Sequence, residues 1–145
     1  MTPEKALERL REGNQRFVEG TGNRFAAEEA ERRRELVSGQ RPPSIVLSCS
    51  DSRVAPAIVF DQGLGDLFVI RVAGNVVAPE LLGSVEYAAN VLGASLVVVM
   101  GHTGCGAVAA TVDAIRAPSQ NPSPNLRSLV DKIRPAVEAA MSEVG

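Results

Sequence analysis

The chain has 145 residues, enough for one domain with a buried core. Apolar residues make up 45% but aromatics only 3%, so Val, Leu, Ile and Ala must fill that core. A formal net charge of -2 excludes an electrostatic case for nucleic acid or an anionic membrane as partner.

No apolar run approaches the ~18 residues of a membrane span. The N-terminus has no basic segment leading into an apolar one, so no signal peptide is visible. The expected location is a reducing cytoplasm, where a cysteine serves as metal ligand or catalytic group more often than as half of a disulfide.

Thr2-Pro3-Glu4 predicts a helix start, with Thr2 as N-cap, Pro3 at the first helical position and Glu4 in the first turn. Leu7, Leu10, Phe17 and Val18 supply an interrupted apolar stripe, and Gly20-Thr21-Gly22-Asn23 ends the helix. A second, mostly polar helix is predicted from Ala27 to Ser38, closed by Gly39. Its Arg32-Arg33-Arg34 run sits among Glu28, Glu29, Glu31 and Glu35, the pattern of a solvated face. Residues 1–39 thus read as a helical arm of little apolar surface, laid on the domain or on a second subunit.

Arg41-Pro42-Pro43 forbids helix and delivers extended chain. Ser44 to Ser48 reads as a buried strand, Ile58-Val59-Phe60 as a short helix or turn after Pro56, and Leu67 to Val72 as a second strand that turns at Ala73-Gly74-Asn75. Pro79 starts a helix with Leu82, Val85, Ala89 and Leu92 on one face, and Gly93 stops it. Leu96 to Met100 is a third strand. Its unbroken apolar run predicts burial on both faces, as in a parallel sheet covered by helices. Gly104 to Ile115 reads as helix and Ala117 to Asn121 as loop. Ser123-Pro124 starts a final helix carrying Leu126, Leu129, Val130, Ile133, Val137 and Met141, which Pro135 should kink or restart.

This order predicts an α/β domain: a central parallel sheet flanked by helices, with the N-terminal helical arm. Residues 44–116 would hold the core, and 117–145 a loop and C-terminal helix. In such sheets ligands bind at the carboxyl ends of the strands.

Two stretches fall at those ends, Cys49-Ser50-Asp51-Ser52-Arg53 and Gly101-His102-Thr103-Gly104-Cys105-Gly106. Together they hold both cysteines and the only histidine. Two thiolates, an imidazole and a carboxylate form a tetrahedral zinc set. Neighbouring strands lie about 5 Å apart, so ligands distant in sequence can converge. Taken singly, each cysteine reads as inert core, His102 as an ordinary loop histidine, and Asp51 with Arg53 as a structural ion pair. Gly101-x-x-Gly104-x-Gly106 also suggests a phosphate cradle. Its spacing is not that of the dinucleotide fingerprint, and the Lys-[Ser/Thr] of a nucleotide loop is missing, so the metal reading ranks higher.

Cys49-Ser-Asp-Ser-Arg53, Arg71-Val-Ala-Gly-Asn75 and Gly101-His-Thr-Gly-Cys-Gly-Ala107 resemble, in order and separation, the three signature segments of the β-class carbonic anhydrases. The resemblance runs from the first helix to about Arg116. It implies zinc held by Cys49, His102 and Cys105, with the fourth position left for water, and reversible hydration of carbon dioxide to bicarbonate and a proton. Asp51 and Arg53 match the family's catalytic dyad, and Asp51 would be the fourth zinc ligand in a closed resting form. Gln40, Phe68 and Tyr87 match substrate-pocket residues. The resemblance also implies a homodimer or higher even oligomer, with the site at the dimer interface and the arm embracing the partner.

The chain departs from the family at two places. Val46 stands where some members carry a tryptophan of an inhibitory bicarbonate site. Arg71 matches that site's arginine, but the missing tryptophan argues against inhibition of that kind. Family members usually continue for some tens of residues with a further strand, so the chain ending at Gly145 reads as lacking it. Two other functions share the scaffold: hydrolysis of CS2 or COS, and a catalytically impaired, zinc-stabilised interaction domain.

Overall fold

Two prolines ahead of Ser44 leave the chain extended, and the β-rich run that follows becomes the middle of the sheet. The computed structural model of the chain describes residues 1–22, 29–117 and 123–144. Strand β1 (Ser44–Ser48) pairs in parallel on one side with β2 (Leu67–Arg71) and on the other with β3 (Leu96–Met100), giving the order β2-β1-β3. Ser44 lies level with Leu67 and Leu96, and Ser48 with Arg71 and Met100. All three strands therefore end at one height. Val72 continues the pairing past β2: its N–H donates to the Ser48 carbonyl at 3.1 Å, and its carbonyl accepts from Ser50 N at 3.2 Å.

The short helix α3 (Pro56–Val59) lies in the crossover between β1 and β2, and α4 (Pro79–Asn90) in the crossover between β2 and β3. α4 lies over β1 and β2. Under it Ile45, Leu47, Ile70, Ala88 and Ala94 form a buried cluster, ringed by Phe68, Leu81, Val85, Ala89 and Leu92. Val85, Ala89 and Leu92 of the predicted stripe pack as expected, and only Leu82 does not. Leu81 packs on the cluster, while Leu82, one step around the helix, is exposed.

β1 is buried along its whole length, as its sequence predicts. The same expectation fails for β3, where Val97 is 46% and Val99 63% exposed. These valines lie beside Ile45 and Leu47 on one face of the sheet. That face is covered over β1 and β2, whereas β3 stands at the edge. An unbroken apolar run thus marks an edge strand with an open apolar face.

Helix α1 (Pro3–Val18) begins as predicted: Thr2 is extended, and its hydroxyl accepts from Lys5 N at 3.4 Å. Of the expected apolar stripe, Leu10 is buried as predicted, while Phe17 and Val18 are exposed. Ala6 and Gly13 are buried as well. Polar contacts anchor the helix to the segment after α3. Arg16 Nε donates to Asp61 Oδ2 at 2.5 Å, Asn14 to the Val59 carbonyl at 3.0 Å, and Arg9 pairs with Asp66 at 2.7 Å. The helix backbone comes so close at Gly13 that a Cβ there would stand 1.8 Å from the Phe60 carbonyl oxygen.

This contact separates two opposing effects. On helix propensity alone, Gly13→Ala should stabilise the protein by about 1 kcal/mol. Here overpacking against a backbone carbonyl outweighs that gain, and the variant should lose about 1–3 kcal/mol in urea unfolding. An unchanged or raised midpoint would show that α1 is not seated at Phe60.

Of the second predicted helix, Ala27 and Glu28 lie outside the described residues, as does Asn23. The remainder forms α2 (Glu29–Glu35) and a 3-10 turn, Leu36–Ser38. Most of the predicted loop from Ala117 to Asn121 is likewise outside the described residues. Helix α5 (Gly106–Arg116) packs along α6 (Pro124–Val144). Val76, Ile133 and Val137 form a second core there, with Val72, Ala107, Val112, Ile115 and Leu129 around it. α6 passes through Pro135 without the expected restart. Proline removes one intrahelical bond, and the buried Ile133 and Val137 on either side hold the turn in place.

Candidate metal centre

The level strand ends bring the two chemical stretches together. β1 stops at Ser48, placing Cys49 just beyond the sheet. β3 stops at Met100, and the turn through Gly104, at φ +65, brings Cys105 round to the N-cap of α5. The two sulfurs, 56 positions apart in sequence, lie 4.0 Å apart. One ring nitrogen of His102 completes a group in which all ligand atoms lie within 4.8 Å of one another. Cys49 is buried, Cys105 is partly so, and neither forms a disulfide.

His102 shows which nitrogen is free to ligate. Nδ1 lies 3.0 Å from the Thr103 carbonyl, which can only accept, so Nδ1 carries the proton and Nε2 a lone pair. Nε2 is buried and has no hydrogen-bond partner among the described residues. A buried, orphaned nitrogen facing two sulfurs is what a soft-to-borderline metal would satisfy. Tetrahedral zinc with bonds of about 2.3 Å to sulfur needs the two sulfurs about 3.8 Å apart. The observed 4.0 Å fits zinc with almost no movement.

Electrostatics favours the ligating form of Cys49. Burial pushes the Cys49 thiol up, but the nearby His102 ring, the backbone N–H groups at Asp51 and Gly74, and Cys105 outweigh it and bring it down to about 7. The Gly74 N–H donates to the Cys49 sulfur at 3.3 Å. Its φ of +68 favours glycine at position 74, and a Cβ there would also press on Ile133 Cδ1 at 2.5 Å and Ala107 Cβ at 3.1 Å. Interaction with the Cys49 sulfur raises His102 in turn.

Asp51 stands outside the three-ligand group. Arg53 holds it in a fork, with Nε 2.8 Å from Oδ1 and Nη2 2.6 Å from Oδ2, and the Arg53 backbone N–H adds a bond of 3.0 Å to Oδ1. These bonds keep the carboxyl well below the usual carboxylate range and raise Arg53. The same Nη2 donates to the Gly104 carbonyl at 3.1 Å, tying the dyad to the loop that carries Cys105. Asp51 Oδ2 is still only 3.9 Å from His102 Nε2.

The other predicted site residues are not gathered here. Phe68 lies level with Ile45, towards the start of the strands, and packs at 6.2 Å between ring centroids against Tyr87. Tyr87 is 49% exposed. Gln40 is exposed and lines a cavity of about 610 Å³ with Pro43, Asp66 and Gly93, which lie just before the three strands. These three residues thus sit at the opposite end of the sheet from the cysteines of their own chain.

Arg71, matched in the sequence to a bicarbonate-site arginine, makes contacts that the sequence does not reveal. Arg71 donates from Nε to the Cys49 carbonyl at 2.8 Å and from Nη2 to the Asp51 carbonyl at 2.5 Å. Its guanidinium is engaged by the Cys49–Asp51 turn. Parallel pairing of Ser48 with Arg71 is the signal that could have revealed it, and that register is not visible in sequence.

A sequence profile described as carbonic anhydrase matches residues 44–145. A carbonic anhydrase of Mycolicibacterium smegmatis is 46% identical over 135 residues, covering 93% of this chain and 65% of that protein. Among solved structures, the β-carbonic anhydrase CafA of Aspergillus fumigatus superposes with a TM-score of 0.69 at 29% identity, covering 80% of this chain and 54% of that one. A structure from a study of two tetrameric β-carbonic anhydrases of Sordaria macrospora gives 0.68 at 25% identity, with coverages of 80% and 58%. The chain thus spans somewhat less than two thirds of the length of these relatives.

Proposed function

Because the chain belongs to the carbonic anhydrase family, we propose that it catalyses the reversible, zinc-dependent hydration of carbon dioxide to bicarbonate and a proton. The observation that carries this reading is the convergence of Cys49, Cys105 and the orphaned His102 Nε2, with Asp51 held beside them but outside the group. When bound, zinc supplies the Lewis acidity that makes water nucleophilic near neutral pH.

Cys49, His102 and Cys105 hold the metal. Arg53 keeps the Asp51 carboxylate turned to itself, leaving the fourth position accessible. Asp51, anionic throughout the working pH range, accepts a hydrogen bond from the attacking water and orients it. Gln40, Phe68 and Tyr87 we assign to the substrate pocket, Gln40 as a donor to a carbon dioxide or bicarbonate oxygen and the two aromatics as apolar wall. Their distance from the cysteines of the same chain supports a pocket completed by a second copy, hence a homodimer or higher even oligomer. The tetrameric relatives and the exposed Phe17, Val18, Val97 and Val99 support that assembly. A cytoplasmic setting fits two free thiols, and no described helix is long and apolar enough to cross a membrane.

The ligand set determines the pH dependence. Two thiolates and an imidazole leave a formally neutral zinc centre, which polarises water less than a three-histidine dication does. Activity should therefore climb between about pH 6 and 9 rather than hold level. The test is zinc content together with stopped-flow carbon dioxide hydration across that range, with CS2 and COS assayed alongside. Full zinc occupancy without hydration at any pH would overturn the proposal.

A further inference from the structure

The Cys49-Ser50-Asp51 turn lies beyond the last residue of β1, where the sheet no longer dictates its path. Among the described residues no backbone N–H reaches the Cys49 carbonyl, and Arg71 Nε supplies its bond. The Asp51 carbonyl takes a bond of 3.2 Å from Val54 N and the 2.5 Å bond from Arg71 Nη2. Arg71 has no carboxylate partner among the described residues. A half-buried guanidinium devoted to two carbonyls, two residues apart, is an unusual use of a charge. Those carbonyls belong to a metal-site cysteine and to the dyad carboxylate.

We infer that Arg71 is the positioning residue of the metal centre: its planar fork sets the distance between the Cys49 and Asp51 backbones, and so aims the sulfur into the site and the carboxylate out of it. The register makes this possible. Arg71 is paired with Ser48, one residue short of Cys49, so its side chain reaches along the strand end to both carbonyls. The two donors, Nε and Nη2, are held at fixed separation by guanidinium planarity, which a lysine ammonium cannot reproduce. The following turn adds a second constraint from the same segment, the Gly74 N–H on the Cys49 sulfur. Sulfur and carbonyl of one ligand are thus both bonded from residues 71–74.

This inference rests on the metal-site reading of Cys49, His102 and Cys105, but not on carbon dioxide as substrate. The test uses cobalt(II) as a spectroscopic stand-in for zinc, with Arg71→Lys and Arg71→Met compared to the unsubstituted chain. Arg71→Lys keeps charge and length but not the fork. It should keep its far-ultraviolet circular dichroism and come within a few degrees of the parent melting temperature. Its metal affinity in chelator competition should fall on the order of 10–100-fold, the usual cost of losing a residue that orients a ligand, and its cobalt d–d bands should shift. Arg71→Met should match or exceed that loss.

A folded Arg71→Lys with parental affinity and an unchanged cobalt spectrum overturns the inference. Failure of both variants to fold also overturns it, in favour of a purely structural anchor. An unsubstituted chain that takes up no cobalt would instead remove the metal site itself, a separate failure.

Discussion

Cys105→Ser will purify with less than about a tenth of the zinc carried by the unsubstituted chain, and the proposed carbon dioxide hydration will fall by about 10³-fold or more. A serine hydroxyl is a hard, protonated oxygen at neutral pH and does not replace a thiolate on zinc. Loss of the metal removes several kcal/mol of activation, which is at least about 10³ in rate. The substitution separates metal loss from unfolding. Cys105 is the N-cap of α5 in extended conformation, and its side chain makes no capping bond. Serine is among the best N-cap residues, so the helix should be as stable as before or more so. Atomic absorption and stopped-flow assay decide the matter. Zinc retained at full occupancy with activity within tenfold of the parent would mean that Cys105 is not a ligand.

Arg53→Ala should have the next largest effect by a different route: zinc stays and activity goes. The Arg53 guanidinium is 65% exposed, so its removal should barely move the melting temperature. It accounts for three bonds to Asp51, counting its own backbone N–H, which alanine retains. Without the two side-chain bonds, a carboxylate already 3.9 Å from His102 Nε2 is free to turn onto the metal. The predicted result is near-stoichiometric zinc and a loss of about 10²–10³, within the range of a lost proton-handling group. Asp51→Asn in the same background should not deepen the loss, because the blocking group is then a weaker ligand. A zinc-loaded Arg53→Ala with parental activity would refute the gating role.

The sequence makes some features legible and hides others for identifiable reasons. β1 and β3 can be bounded in advance because short apolar runs between glycines and prolines have few other uses. The metal-binding residue types stand out because a chain with two cysteines and one histidine places all three just after strands. Position within the sheet is not legible. Nothing in Leu96-Val97-Val98-Val99-Met100 distinguishes a strand buried on both faces from an edge strand with Val97 and Val99 open. The seat of α1 is hidden because it depends on Gly13 meeting the Phe60 carbonyl and on Arg16 meeting Asp61, contacts between distant residues without apolar periodicity. Arg71 is hidden for a similar reason, since its role follows from register alone. A match of Gln40, Phe68 and Tyr87 to pocket positions says nothing of which end of the sheet they occupy.

The parallel register also sets an order in time. Ser44 finds its partners in Leu67 and Leu96, so neither pairing forms by a local hairpin. Each requires closing a long loop before any contact repays the lost chain entropy. Cys49 belongs to the first strand and the His102–Cys105 turn to the last, so the donors meet only once both crossovers have closed. His102 and Cys105 already share one turn, so what closure of the crossovers adds is the third donor, Cys49. Binding by all three donors should therefore follow sheet assembly and be the last step recorded when the chain is refolded with zinc.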